Sequence, residues 1–352
     1  MGNDMTTASS SNSAAAVASG TGVPTVRTPR LQIVVVALII AALALVPVLS
    51  NWAGQSFYVV ILTRILVFSL AAMGLNLVLG YGAMVSFGHA LYIGIGAYAV
   101  GILSSHGISN GYIHVLVACA VGLVSAVLIG SVCLRAGGVA FIMITLAFAQ
   151  MFYFLAVGLR QYGGDEGLPI ATRSDFKLFS LDDQNVLYYL VFALLIATLY
   201  GLHRLVHSRF GMVLRGCKAN ERRMLALGYS TFRYKLSAYV ISALICVLAG
   251  VMLANLTRFA SPSYMAWSVS GELMVMVVLG GIGTLMGPFV GASIWLVMEE
   301  LMTSFRMPLP WGMDALVRDH WLGVFGLVVV LVALYLRYGV YGMLLRYGRG
   351  RS

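Results

Sequence analysis

Residues 57–80 read FYVVILTRILVFSLAAMGLNLVLG, a mostly apolar run with a single charged side chain, Arg64. An α-helix rises about 1.5 Å per residue, so roughly 20 apolar residues cross the hydrocarbon core of a bilayer. A run of this length therefore predicts a membrane-spanning helix. It decides the class of fold, because a chain in lipid has to satisfy its backbone hydrogen bonds within helices or a closed barrel.

The same pattern recurs along the whole chain of 352 residues. Its composition is 60% hydrophobic and 10% charged, whereas soluble domains are about 25% charged, which excludes a soluble enzyme. Together with 57–80, the apolar runs predict an all-α polytopic membrane protein of about ten transmembrane helices, including short or broken ones. The other runs lie near 31–50, 84–104, 113–134, 138–159, 186–206, 235–256 and 322–338, with a glycine-split pair near 269–283 and 286–300.

The basic residues predict the orientation of these spans. The chain has 22 Lys and Arg against 12 Asp and Glu, a net charge of +10. Most basic residues fall on alternate segments that include both ends and the long loop 207–235, and positively charged loops stay in the cytoplasm. We therefore expect both termini to be cytoplasmic, and the charge to report topology and not nucleic-acid binding. The predicted units are a disordered cytoplasmic tail at 1–30, a transmembrane domain at 31–340 and a basic cytoplasmic tail at 341–352.

The long basic loop contains the signals of a short helix. Asn220 is a suitable N-cap, Glu221 complements the positive end of a helix dipole, and Gly228 is placed to end the helix. These residues predict a two-turn helix on the cytoplasmic surface. Its amphipathic pattern suits a helix on the membrane surface or one inserted into the groove of a partner. The residues of this pattern are Arg222, Arg223, Met224, Leu225 and Leu227.

Glycines divide the pair of short apolar runs. Gly283, Gly287 and Gly291 recur every four residues, a spacing that lets helices approach closely. Gly280–Gly281 and Pro288 interrupt helical hydrogen bonding at membrane depth, which is tolerated where the backbone is buried in protein or faces a cavity. The sequence leaves two interpretations open, a translocation path and tight packing against another span.

Polar residues inside the predicted spans are the other candidates for function. Asn76 and His89 can face a path, although a histidine in a membrane also serves as a hydrogen-bonded packing group. For Arg64 and Glu272, pairing or reaching water is favoured over substrate contact. The candidate path residues are Asn76, Ser86, Phe87, Gly88, His89, Gly280, Gly281, Gly283 and Gly287.

Two other classes of function find less support in the sequence. His203 and His207 have the i, i+4 spacing of a metal-binding pair, but no glutamate lies between them to act as a base, which argues against an intramembrane metalloenzyme. The four cysteines form no C-x-x-C pair, so neither a zinc site nor a disulfide framework is indicated. An ion-driven secondary transporter usually needs buried carboxylates, and Glu272 is the one placed deep enough.

From about residue 60 to 345 the chain resembles the LivM-type inner-membrane permeases of branched-chain amino-acid ABC importers. Five motifs stand in the order of that family. The first, within 74–98, combines GLNL, GYG, SFGHA and GIGAY. The others are TLAFAQ at 145–150, GGDEGL at 163–168, the loop 220–229, and GGIGTLMGP at 280–288. The chain departs from the family's pattern at Gly137, Lys218–Ala219 and Met224. Permeases for urea and short-chain amides share most of these motifs, so the resemblance leaves the substrate open.

The resemblance implies a division of labour among several proteins. It implies a second, homologous permease, two ABC ATPase subunits, and a periplasmic substrate-binding protein that faces the outer loop at Gly164, Asp165 and Glu166. No Gly-x-x-x-x-Gly-Lys-Ser/Thr loop exists in the chain, so we expect a transport subunit that is no enzyme, binds no cofactor and leaves ATP to its partners. The residues expected to meet the ATPase from the loop 207–235 are Arg215, Lys218, Asn220, Glu221, Arg222, Arg223, Leu227 and Gly228.

Overall fold

The computed structural model describes residues 42–47, 56–176, 181–303 and 339–347, and the single positions 323, 326 and 330. The predicted tail at 1–30 lies outside these residues. So do most of the predicted first span at 31–50 and of the last span at 322–338.

The described chain is almost entirely helical. Its helices are α1 (Ser56–Asn76), which continues as a π-helix (Leu77–Tyr81), α2 (His89–Ser105), α3 (Gly111–Cys133), α4 (Val139–Gly158), α5 (Gln184–His207), α6 (Arg209–Ala219), α7 (Glu221–Ala226), α8 (Thr231–Thr257), α9 (Trp267–Gly280), α10 (Gly287–Thr303) and α11 (Gly339–Tyr347). Short 3-10 turns lie at Arg160–Tyr162 and Pro262–Met265. The strands β1 (Leu168–Pro169) and β2 (Phe259–Ala260) pair antiparallel.

Five helices of the described part are long and apolar enough to cross a membrane, which confirms an all-α polytopic membrane protein. They are α1 with its π-helix, α3, α4, α5 and α8, and the apolar helices α2 and α9 are shorter. The predicted count of ten includes the two runs that lie mostly outside the described residues. It therefore stays a prediction.

One predicted span begins later than its hydropathy indicates. The run 84–104 is predicted as one helix, but residues 83–88 are not helical and α2 begins at His89. Polar side chains take up the backbone groups there: the N–H of Gly88 donates to Ser86 Oγ at 3.2 Å, and the N–H of Ala90 donates to Ser270 Oγ at 3.0 Å. Because these hydrogen bonds replace helical ones, the backbone leaves the helix while it stays largely buried.

The helix α8 lies at the centre of the bundle, packed against α1, α2 and α3. At its crossing with α2, Gly250 lies against the carbonyl of Ile93, and Gly96 lies against the carbonyl of Val247. Neither glycine has room for a β-carbon. Small residues at such crossings let backbones approach, and close packing of this kind stabilises helix association in a bilayer.

Loops predicted for the outer side of the membrane meet at one end of the bundle. β1 and β2 join the loop after α4 to the loop after α8. Beside them, Ser174 donates its backbone N–H to Asn255 Oδ1 at 2.8 Å, and its hydroxyl lies 2.7 Å from His114 Nδ1. An ion pair joins Arg258 to Asp182 at 3.5 Å. These contacts agree with the predicted alternation of the spans, because each joins segments assigned to the same side.

The C-terminal segment differs from the tail predicted at 341–352. Gly339–Tyr347 forms α11, which packs against α9 and α10. At its first residue, Gly339 has a φ of 68° and lies against the backbone of Gly281 with no room for a β-carbon. The described part of this segment is therefore a packed helix, and 348–352 lie outside the described residues.

Candidate functional site

The loop 207–235 folds into two helices, α6 and α7, which together form the α6–α7 module (residues 209–226). The predicted helix after Asn220 is confirmed as α7. α6, whose 11 residues come before α7, was not predicted. The signal for it is the helical spacing of Phe210, Val213, Leu214 and Cys217 at i, i+3, i+4 and i+7. The last three of these residues are buried.

Both predicted end signals of α7 act as expected. Asn220 Oδ1 accepts a hydrogen bond from the backbone N–H of Arg223 at 3.0 Å, which is an N-cap. Gly228 has a φ of 86°, a conformation that favours glycine. Its N–H donates to the carbonyl of Leu225 at 2.9 Å, and the N–H of Tyr229 donates to the carbonyl of Met224 at 3.1 Å. This pair of bonds is a Schellman motif, which ends the helix sharply.

A small apolar core holds the module to the bundle. Val213, Cys217 and Met224 are buried together, with Tyr234 of α8 packed against them. Gly216 makes the approach possible, because a β-carbon there would lie 2.6 Å from Met224 Sδ. Burial raises the pKa of the Cys217 thiol, so this thiol is a packing group and not a reactive one.

Three charges expected to meet the ATPase are engaged with their own chain. Lys218 donates from Nζ to the carbonyl oxygen of Gly80 at 2.7 Å. Glu221 pairs with Lys235 at 2.6 Å. Arg215 donates to the carbonyl of Val206 at 3.2 Å. Contact with an ATPase remains a prediction for all of them, and these bonds show that they also fasten the module to α1, α5 and α8.

The opposite side of α7 is open. Arg222, Arg223 and Gly228 are exposed, and the side chains of Leu225 and Leu227 are 54% and 65% exposed. Of the apolar residues predicted for one amphipathic face, only Met224 is turned into the core. Exposed leucines beside arginines on one short helix form a surface suited to a partner, because burying them against a second protein is favourable.

The glycine break (residues 281–286) separates α9 from α10 at the position predicted. Gly281 and Gly283 have φ values of 126° and 75°, which only glycine adopts readily. Gly280 lies against the carbonyl of Gly287 without room for a β-carbon. α9 and α10 therefore cross in backbone contact, so the tight-packing interpretation describes this site, and a role in a path stays a prediction.

Asn76 holds the glycine break in place. Its Oδ1 accepts from the N–H of Gly283 at 2.9 Å, and its Nδ2 donates to the carbonyl of Thr284 at 2.7 Å. The side chain is 3% exposed. One amide thus replaces the helical hydrogen bonds that the break loses.

His89 is a fully buried packing group in this structure. Its Nδ1 lies 2.9 Å from Ser86 Oγ and its Nε2 lies 2.8 Å from Ser242 Oγ. The neighbouring Phe87 is half-buried, and its N–H donates to Thr145 Oγ1 at 3.3 Å. Ser242, Ser270 and Thr145 were not predicted to hold this segment by hydrogen bonds. Their isolated hydroxyls within apolar runs are the sequence feature that could have indicated it.

Arg64, the charged residue inside α1, forms an ion pair with a carboxylate that the sequence did not single out. Arg64 Nη2 lies 3.1 Å from Glu299 Oε1, with side-chain exposures of 43% and 26%. Glu299 lies near the end of α10 and of the predicted span 286–300, at the boundary assigned to the outer side. A cation inside a span that reaches a carboxylate at the outer boundary fits snorkelling and pairing.

The loop after α4 turns through three glycines with positive φ: Gly163, Gly164 and Gly167. This turn leaves the carboxylates of Asp165 and Glu166 exposed.

The pair His203 and His207 has the spacing of metal ligands in the sequence. Its rings lie 4.3 Å apart, and among the described residues no three His, Cys, Asp or Glu side chains come together as metal ligands.

An apolar groove of about 680 Å³ lies between the exposed faces of α3 and α4. Its lining includes Val124, Leu128 and Val132 of α3 and Phe148, Met151 and Phe152 of α4. The two serine hydroxyls near it are its polar part. Such a surface fits lipid tails or another helix, and it offers no charged group for a zwitterion.

Comparison with known proteins places this chain in a family. Residues 57–334 match the family described as "Branched-chain amino acid transport system / permease component". LivM of Salmonella typhimurium, the permease of a high-affinity branched-chain amino acid transport system, is 28% identical over 70% of this chain and 64% of its own length. LivH of Escherichia coli is 25% identical over 68% of this chain and 82% of its own length. The autoinducer 2 import permease LsrC of an Enterobacter species is 27% identical over 62% of this chain and 64% of its own length.

These relatives differ in length from the present chain. It spans 64% of the length of the LivM proteins of Salmonella typhimurium and Escherichia coli. No solved structure matches the chain.

Proposed function

The chain belongs to the family of permease components of branched-chain amino acid transport systems, and on that premise we propose that it is a transmembrane subunit of an ATP-driven importer. Its substrates are branched-chain and other hydrophobic amino acids, passed from a periplasmic binding protein to the cytoplasm. The observation that carries the proposal is the α6–α7 module. It is a capped helix pair, fastened to the bundle, that exposes Leu225, Leu227, Arg222 and Arg223.

The proposed topology has ten spans, both termini in the cytoplasm, and a location in the bacterial inner membrane. The distribution of Lys and Arg supports this orientation. So do the contacts that join loops assigned to the outer side, including β1 with β2 and Arg258 with Asp182. The unit 31–340 is the permease domain, with the coupling loop at 207–235.

The proposed partners are a second, homologous permease, two ABC ATPase subunits and a periplasmic binding protein. The ATPases dock on the α6–α7 module and supply ATP hydrolysis, so this chain itself holds no nucleotide. The binding protein meets the outer turn at Gly164, Asp165 and Glu166. Asp165 and Glu166 are exposed and supply the contact surface, whereas Gly164 is buried. Charged groups at such a rim increase the rate of encounter more than the affinity.

The proposed path runs beside the two irregular segments at membrane depth, 83–88 and the glycine break. Irregular backbone at that depth is found where it is buried in protein or lines a cavity. Val85 and Phe87 are the half-buried members of the first segment, and Ala83 is exposed. ATP binding closes the ATPases, the α6–α7 module moves with them, and the two permeases rock to open the path to the other side.

Reconstitution tests the proposal. The chain is placed in proteoliposomes with the second permease, the ATPases and the binding protein from its source genome, and uptake of labelled leucine and of urea is measured with and without ATP. We expect leucine uptake that requires ATP. Uptake of urea alone would assign the chain to amide import. Uptake by this chain alone, driven by an ion gradient, would contradict an ABC importer.

A further inference from the structure

We infer that Lys218 is a positioning residue that connects the α6–α7 module to the glycine break through the inner end of α1. The inference rests on the proposed function, because it describes how movement of the module reaches the spans. Its basis is a continuous series of contacts through Gly80 and Asn76 to Gly283 and Thr284.

The first contact lies between the module and α1. Lys218 Nζ donates to the carbonyl oxygen of Gly80 at 2.7 Å, across 138 positions of sequence. Gly80 belongs to the π-helix Leu77–Tyr81, all of whose residues are buried. The last carbonyls of a helix lack partners within it, and a cation there is favoured by the helix dipole. The ammonium therefore holds the end of α1 from outside the bundle.

The second contact lies between α1 and the glycine break. A β-carbon on Gly80 would lie 2.6 Å from the nitrogen of Gly283, so the two backbones touch. Four residues earlier, Asn76 bonds to the N–H of Gly283 and to the carbonyl of Thr284. The inner end of α1 cannot shift along its axis without moving the break or breaking these bonds.

The π-helix makes this end of α1 irregular. A π-helix is rare and is frequently found at functional positions. Gly80 within it lets the backbone approach Gly283. A pull on the Gly80 carbonyl is therefore transmitted to the break, where Gly281 and Gly283 have the backbone freedom to respond.

A substitution at Lys218 separates this role from simple anchoring of the helix end. Lys218 is exposed, so Lys218→Met is expected to fold, and it is compared with the wild type on complex that contains the ATPases. Lys218→Arg keeps a cation that can donate to the same carbonyl. Arg135→Met is the matched control, because it removes one exposed cation from the turn after α3, on the side predicted to be cytoplasmic.

The experiment uses the complete importer in proteoliposomes and measures leucine taken up per ATP hydrolysed. At equal amounts of assembled complex, we expect for Lys218→Met a ratio at least about tenfold lower than in the wild type, as loss of one coupling contact permits. Lys218→Arg restores most of the ratio, and Arg135→Met leaves it unchanged. This pattern supports a positioning role, because a merely structural contact would lower the amount of folded complex and leave the ratio intact.

Two results would overturn the inference. One is a wild-type ratio in Lys218→Met, and the other is an equal loss in Arg135→Met. Failure of the proposed function is seen separately, since it appears as absence of ATP-dependent leucine uptake in the wild type. In that case pulsed electron paramagnetic resonance between labels on α7 and at Leu285, with and without ATP, still measures whether Lys218→Met uncouples their movements, and an unchanged coupled movement would contradict the inference.

Discussion

α1 and α4 are about equally apolar, yet the structure uses them in opposite ways. In α1 with its π-helix, 67% of the most apolar 18-residue stretch is buried, and in α8 the value is 61%, whereas in α4 it is 22%. In the sequence, α1, α4 and α8 are alike, because each is predicted only as a membrane span. The difference shows that hydropathy reports which segments enter the membrane, and that packing decides which of them face protein.

The physical distinction lies in small residues and backbone contacts. α8 meets α2 through Gly250 and Gly96, where a β-carbon has no room. α4 exposes large side chains instead, among them Val139, Met143, Met151, Phe154 and Leu155. Lipid tails are as apolar as these residues, so no hydrophobic force removes them from lipid. The exposed spans α3, α4 and α5 are therefore available to lipid or to the proposed second permease.

The largest effect is expected from a glycine of the buried spans. Gly250→Val places methyl groups against the Ile93 carbonyl, so the crossing of α8 and α2 must open, at a cost of at least about 3 kcal/mol. The matched control is Gly201→Val in α5. A β-carbon at Gly201 would meet no atom within 4 Å. The yield of monodisperse protein in detergent and its melting temperature measure the difference. Equal yields of the two variants would contradict the view that the Gly250 contact between α8 and α2 stabilises the bundle.

The next effect concerns two kinds of exposed apolar surface. Leu225→Ala with Leu227→Ala is expected to weaken binding of the purified ATPase about tenfold or more, since leucines buried at an interface centre lose their contacts. Met143→Ala with Met151→Ala on α4 serves as the control. Binding is measured on the permease pair in nanodiscs. If the α4 variant weakens ATPase binding as much, Leu225 and Leu227 are not a specific docking surface.

A smaller change is expected at the glycine break. Asn76→Ala leaves the N–H of Gly283 and the carbonyl of Thr284 without their partner, and we expect a loss of about 2–3 kcal/mol in the free energy of unfolding. Ser131→Ala is the control, because that exposed hydroxyl donates only to the carbonyl of Leu128 on its own helix, at 2.8 Å. Thermal unfolding in detergent compares the two. A loss as small as that of Ser131→Ala would mean that Asn76 does not hold the break.

The smallest effect is a labelling rate. Burial raises the pKa of Cys217, so at neutral pH its thiolate fraction lies below that of an exposed cysteine, and it rises as the solution becomes alkaline. Met224→Ala opens the small core and lowers this pKa toward its ordinary value. We expect maleimide modification of Cys217, located by mass spectrometry, to become several-fold faster at neutral pH and to change less at alkaline pH. Equal acceleration at both would assign the effect to access alone.

Local chemistry made parts of the site predictable. Asn220 and Gly228 mark the ends of α7 because a cap and a positive-φ residue act on backbone groups within one turn. Gly280–Gly281 mark the break between α9 and α10 for a similar reason, since glycine and proline change the local backbone whatever surrounds it. These predictions needed only a few neighbouring residues.

Partners distant in sequence were not predictable in this way. Hydropathy places residues 84–88 inside a span, and only Ser270 and Thr145, from other helices, show how that segment leaves the helix. Arg64 forms its ion pair with Glu299, which the sequence did not single out as a partner. The bond from Lys218 to Gly80 was not predicted either, and contact of Lys218 with an ATPase stays a prediction.

The sequence by itself determined the class of the protein, its family and the positions of its long spans. These depend on the transfer of apolar residues into lipid and on motifs read in order along the chain. The tertiary structure decided which spans are buried and which side chains meet at the glycine break. The reason is that packing and hydrogen bonds between helices depend on three-dimensional proximity, whereas hydropathy depends only on composition within one segment.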